Sequence, residues 1–113
     1  MNEALDYVDD IIEAAEKIER FTEGMDYEAF TSDEKTVDAV LRNFEVIGEA
    51  AKNIPEEIYH EYSDVPWSEM AGMRDRLIHG YATIELRIVW TTVQEEIPTV
   101  ISNVKRVRND LTE

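Results

Sequence analysis

Nine consecutive residues, Met73-Arg74-Asp75-Arg76-Leu77-Ile78-His79-Gly80-Tyr81, concentrate the side chains able to do chemistry. Arg74 is a planar, permanently charged fork suited to a phosphate. His79, one of only two histidines, titrates near neutrality and is the natural general acid or base. Asp75, four residues before His79, is placed to fix the histidine tautomer. Arginine and histidine acting without a metal suit cleavage of RNA, in which the 2′-hydroxyl attacks its own neighbouring phosphate. The chain has no cysteine and no carboxylates clustered near His79, so neither a metal site nor another cofactor is expected.

Geometry constrains how these groups can meet. On an ideal helix Arg74 and Tyr81 lie about 20° from eclipsed, and Asp75 and His79 about 40°. Arg74 and His79 are splayed by about 140°. They can share a ligand only if the helix ends near Gly80, so that His79 and Tyr81 turn back, or if a second subunit completes the site. The same residues also fit an ordinary helix end, with His79 bonding the last carbonyls, Arg74 and Asp75 solvated and Tyr81 packed in the core. His60 lacks such neighbours and reads as an exposed loop residue.

The elements that must position the stretch read as helices throughout. At 113 residues the chain is one domain, 1–113, large enough for a core without staples. Leu5, Val8, Ile12, Ala15 and Ile18 mark a first helix from Asn2 to about Phe21, with Gly24 as its stop. Thr31 followed by Glu34 has capping-box spacing. The helix after it carries Val37, Val40, Leu41, Phe44, Ile47, Ala51 and Ile54 on one face. Its small residues Gly48, Ala50 and Ala51 imply the close approach of another helix, and Pro55 ends it.

Asp64-Val65-Pro66-Trp67 opens a third helix that runs through Arg74 to a terminator at Gly80. Thr83 caps a fourth, whose apolar set is Leu86, Trp90, Val93, Ile97, Val100, Val104, Val107 and Leu111, a 3.5-residue period. Pro98 removes a helical hydrogen bond at a cost of about 3 kcal/mol, yet the register continues past it, which predicts a kink. The expected fold is all-α: an antiparallel up-down four-helix bundle with a kinked last helix. Trp67 and Trp90 are expected in the core.

The net charge of −15 argues against a broad polyanion-binding face. Its distribution is uneven. Residues 1–69 hold 20 acids and 5 bases, whereas residues 70–113 hold 6 of each. Any nucleic-acid site must therefore be small and local. The N-terminus has neither the basic flank nor the apolar run of a signal peptide, and no apolar segment approaches the ~20 residues of a membrane span. Without cysteine, the cytoplasm is the expected compartment.

The Arg74-x4-His79-x-Tyr81 pattern, with Asp75 directly after the arginine, resembles the signature of HEPN-superfamily proteins of the HepT type, the toxins of HepT/MntA toxin–antitoxin pairs. The Arg42–Lys52 helix, the Val65-Pro66-Trp67 stretch and the Ile97-Pro98 step extend the resemblance over nearly the whole chain. It implies a metal-independent ribonuclease acting as a homodimer, with Arg74 and His79 of both protomers in one cleft. It also implies a minimal nucleotidyltransferase antitoxin that transfers AMP to the motif tyrosine, here Tyr81. The rival reading is a non-catalytic helical partner, or substrate-binding subunit, of such a nucleotidyltransferase.

Overall fold

The computed structural model describes residues 3–79 and 83–113, with the backbone alone described at 78–79 and 83–84. Helix α1 (Glu3–Thr22) buries Val8, Ile12, Ala15 and Ile18 of the face anticipated from spacing, with Ile11 beside them, while Leu5 is half-buried. Its start at Asn2 lies outside the described residues. After the helix the chain turns at Gly24, whose φ of 76° is the left-handed conformation that only glycine adopts freely. The undecided segment that follows is a short helix, α2 (Tyr27–Thr31), capped by Asp26.

Helix α3 (Glu34–Lys52) starts two residues later than the capping-box reading. Thr31 is the last residue of α2, so its backbone is helical and cannot adopt the extended conformation of an N-cap. Asp33 takes the role, accepting from the Thr36 N–H at 3.1 Å. That bond favours the ionised carboxylate and holds the Asp33 pKa below its ordinary value. The helix ends at Lys52 with Asn53 as cap, three residues ahead of Pro55. A helical turn, α4 (Glu56–Glu61), then leads to α5 (Trp67–Ala71) and α6 (Met73–Leu77), parted at Gly72. Backbone bonds from Gly72 N–H to Ser68 and from Arg76 N–H to Gly72 bridge the hitch. His60 is exposed, on α4 and not in a loop.

The third helix ends at Leu77, not at Gly80. Ile78–His79 (β1) pairs antiparallel with Thr83–Ile84 (β2), Ile78 opposite Ile84 and His79 opposite Thr83. The Glu85 N–H donates to the Leu77 carbonyl at 3.3 Å at the base of this hairpin. β-Branched residues suit paired, extended backbone better than a last helical turn. Thr83 is consequently in a strand, and Glu85 stands at the N-cap of α7 (Leu86–Glu95). Helix α8 (Ile97–Thr112) follows through Glu96, which keeps right-handed helical dihedrals. The expected single helix is therefore two, parted at Glu96, and Pro98 falls in the first turn of α8, where its missing N–H costs no helical bond. Backbone bonds from Glu96 N–H to Thr92 and from Val100 N–H to Glu96 span the junction.

The fold is all-α, a helical bundle carrying one two-residue hairpin. Helix α1 packs between α3 and α8, and α3 in turn carries α5 and α6. Asp9 meets Arg108 and Glu16 meets Lys105, so α1 and α8 run antiparallel. Trp67 is 1% exposed and donates its indole N–H to the Tyr62 carbonyl. Trp90 is half-buried and stacks on Phe30 at 5.1 Å, fastening α2 to α7. Val89, outside the predicted seam, is fully buried, whereas Leu86 and Leu111 pack at its margin. Among the described residues no helix is long and apolar enough to cross a membrane.

Candidate active site

Arg74 stands on α6, which packs on α3 together with α5, the helix that leads into it. Gly48 makes the contact of α5 with α3 possible. A Cβ at Gly48 would lie 3.2 Å from the Ala71 carbonyl oxygen and 3.7 Å from that of Met70. The small-residue stripe on α3 thus does admit a neighbouring helix, and the neighbour is the one that leads into Arg74. Met73 and Leu77, each 1% exposed, anchor α6 from below.

The guanidinium of Arg74 is half-exposed and lies between two carboxylates. Its Nε is 3.7 Å from Glu45 Oε1 on α3, and its Nη1 is 3.6 Å from Asp75 Oδ1. Both separations exceed hydrogen-bond length, so these pairs orient the side chain without saturating its five donors. Asp75 is 85% exposed. Because the helix ends at Leu77, Asp75 and His79 no longer share a helical face, and the wheel relation between them does not apply. His79 stands instead on the first strand of the hairpin, opposite Thr83. The side chain of His79 lies outside the described structure, as do Gly80 and Tyr81 altogether.

Beside Arg74 runs an open groove of about 560 Å³ between α1, α3 and α6. It gathers three cations, Arg42, Lys52 and Arg74, and four carboxylates, Asp10, Glu45, Glu49 and Asp75. The separation of charge along the sequence is therefore not kept in space. Acids of the first half border the arginine of the second, and Lys105, Arg106 and Arg108 of α8 are engaged by Glu16, Asp64 and Asp9. Arg76 is likewise committed, to Glu96 at 3.2 Å. Glu45 and Arg42 were not among the residues expected at the site. Their signal was the charged stripe Arg42, Glu45, Glu49, Lys52, spaced three, four and three along α3, but nothing local says which helix that stripe faces.

Comparison with known proteins now bears on this arrangement. A family described as ribonuclease HepT-like matches residues 11–107. The chain belongs to the HepT-like family. It is 47% identical over 103 residues to "Probable ribonuclease HepT" of Thermococcus cleftensis, covering 91% of this chain and 94% of that one. A "Putative RNase" of Methanocaldococcus jannaschii is 42% identical, with 90% and 84% covered. Another, of Caldanaerobacter subterraneus subsp. tengcongensis, is 41% identical, with 89% and 90% covered. No solved structure matches the chain. The HepT-like match, over residues 11–107, takes in the Arg74–Tyr81 stretch, the hairpin and the whole of α3, and so the α3 and α6 sides of the groove.

Proposed function

We propose that this HepT-like protein is a metal-independent endoribonuclease and the toxin of a type II toxin–antitoxin pair. The observation that carries the reading is the match of residues 11–107 to the HepT-like family over a chain whose Arg74 is held half-exposed at the edge of a groove. In the reaction the 2′-oxygen of a ribose forms a bond to the adjacent phosphorus as the bond to the 5′-oxygen breaks. Neutral His79 accepts the 2′-hydroxyl proton, and the departing 5′-oxygen takes a proton from the partner's His79 in its imidazolium form. The products are a 2′,3′-cyclic phosphate and a 5′-hydroxyl. Arg74 binds the scissile phosphate and stabilises the charge that grows on it. Asp75 assists by orientation.

A homodimer brings two copies of Arg74 and His79 into one cleft, which is how groups separated on a single chain come to act together. Regulation follows from Tyr81, two residues after His79. A cognate nucleotidyltransferase antitoxin that transfers AMP from ATP to its hydroxyl places bulk and negative charge beside the catalytic pair, where they exclude an RNA phosphate. The protein acts in the cytoplasm.

The test uses purified wild type, Arg74→Ala and His79→Ala on RNA in the presence of a chelator. The expected result is cleavage by wild type alone, with all three proteins dimeric and equally folded. Equal cleavage by wild type and His79→Ala refutes the reading. If none cleaves RNA and none inhibits growth, the non-catalytic partner of a nucleotidyltransferase replaces it. Intact mass after co-expression with the partner then reads Tyr81: a gain of AMP units, absent in Tyr81→Phe, is expected.

A further inference from the structure

An unpaired base is the exception in a chain with 26 acids and 11 bases. Six of the bases are held in ion pairs with carboxylates, and Arg87 lies 4.2 Å over the ring of Tyr27. Among the described residues, Arg20, Lys35, Arg42 and Lys52 have no carboxylate partner within 4.0 Å. Two of these four, Arg42 and Lys52, line the groove that holds Arg74, and both are exposed. They sit ten residues apart on α3, about 15 Å along its axis. Glu45, the partner of Arg74, lies between them. Three cations therefore line one groove, two of them uncommitted and the third held at ion-pair distances that a phosphate oxygen can displace.

We propose that Arg42 and Lys52 extend the site along α3, each taking a backbone phosphate of the RNA strand that flanks the phosphate at Arg74. This rests on the ribonuclease reading above and adds a substrate-binding track to it. Glu45 and Glu49, interleaved with the cations, break the track into discrete contacts. The groove thus binds a few defined phosphates and not polyanions at large, which reconciles an RNA ligand with a net charge of −15. With three phosphates neutralised per protomer, the logarithm of affinity falls with the logarithm of salt at a slope of about −2 for a single strand.

The experiment measures anisotropy of a labelled single-stranded 2′-deoxyoligonucleotide, which keeps the phosphates and lacks the attacking hydroxyl, across a salt series. Arg42→Ala and Lys52→Ala are each expected to weaken binding by about tenfold and to flatten the slope by about 0.7. Arg20→Ala and Lys35→Ala, at exposed cations away from the groove, serve as controls and are expected to leave both unchanged. Thermal melts of all four variants verify the fold, since each replaces an exposed helical or near-helical side chain. The proposal is overturned if wild type does not bind the strand, if the groove variants bind like wild type, if all four weaken binding equally, or if the groove variants change the oligomeric state instead. Binding is read without cleavage. A wild type that cleaves RNA while Arg42→Ala and Lys52→Ala bind normally sinks only the track, and groove-dependent binding without any cleavage sinks only the ribonuclease reading.

Discussion

Replacing Gly48 asks whether the position of Arg74 depends on how closely α5 approaches α3. A single added methyl, in Gly48→Ala, must sit 3.2 Å from a backbone carbonyl oxygen, so α5 has to yield by a few tenths of an ångström. Against that, alanine gains about 1 kcal/mol of helix propensity over glycine. The two effects nearly cancel, and Gly48→Ala is expected within about 1 kcal/mol of wild type. Valine adds two further methyls toward the same backbone and gains only about 0.3 kcal/mol in propensity. Overpacking of this kind costs about 1–3 kcal/mol. For a chain of this length each kcal/mol moves the melting temperature by roughly 4 °C, so Gly48→Val is expected to melt about 4–12 °C lower. Urea unfolding followed by far-ultraviolet circular dichroism measures the difference, with the slope of the transition unchanged. Cleavage of RNA by Gly48→Val should fall by more than its folded fraction, because the shift of α5 carries Arg74 with it. A Gly48→Val protein as stable as Gly48→Ala refutes the close approach as the constraint that fixes this site.

Phe44 is fully buried on α3, and Phe44→Ala should lose about 3–5 kcal/mol in urea titration. Asp33→Ala removes the cap of α3 and should lower the melting temperature by a few degrees at neutral pH. The carboxylate pKa is lowered in the folded state, so its contribution is present above the ordinary carboxylate range and is lost as pH falls through the folded value. The gap between wild type and Asp33→Ala should therefore close in acid, as melts from neutral pH downward will show. Tyr62 is the alkaline counterpart. Burial, and then its 3.1 Å hydrogen bond to Asp110, raise its pKa above the usual phenol value. That contribution is complete below the unfolded pKa of about 10 and disappears as pH rises through the folded one. An ultraviolet absorbance titration should show a late-ionising phenol that is missing in Tyr62→Phe.

Periodicity was sufficient for α1, for the body of α3 and for the helical course of α7 and α8, though not for their parting at Glu96, because burial of one helix face is a local repeat that every turn restates. Residue type, not period, singled out the Arg74–Tyr81 stretch as a candidate, since the side chains that can bind phosphate or move protons are few in this chain. Helix ends were less legible. Thr31 and Asp33 both satisfy capping chemistry, and the choice fell to Asp33 only because α2 consumes Thr31. Ile78 fits a helix by spacing, but the return strand at Thr83–Ile84 gives its backbone a partner that no helical window contains. The groove belongs wholly to tertiary structure. Arg42, Glu45 and Lys52 read as a solvated stripe until Gly48 allows α5 to close on α3 and bring Arg74 beside them. Charge behaved in the same way: acids and bases that occupy separate halves of the chain are interleaved once α8 lies along α1. Ion pairing and groove formation depend on which helices become neighbours, and that is decided by packing of side chains far apart in the sequence.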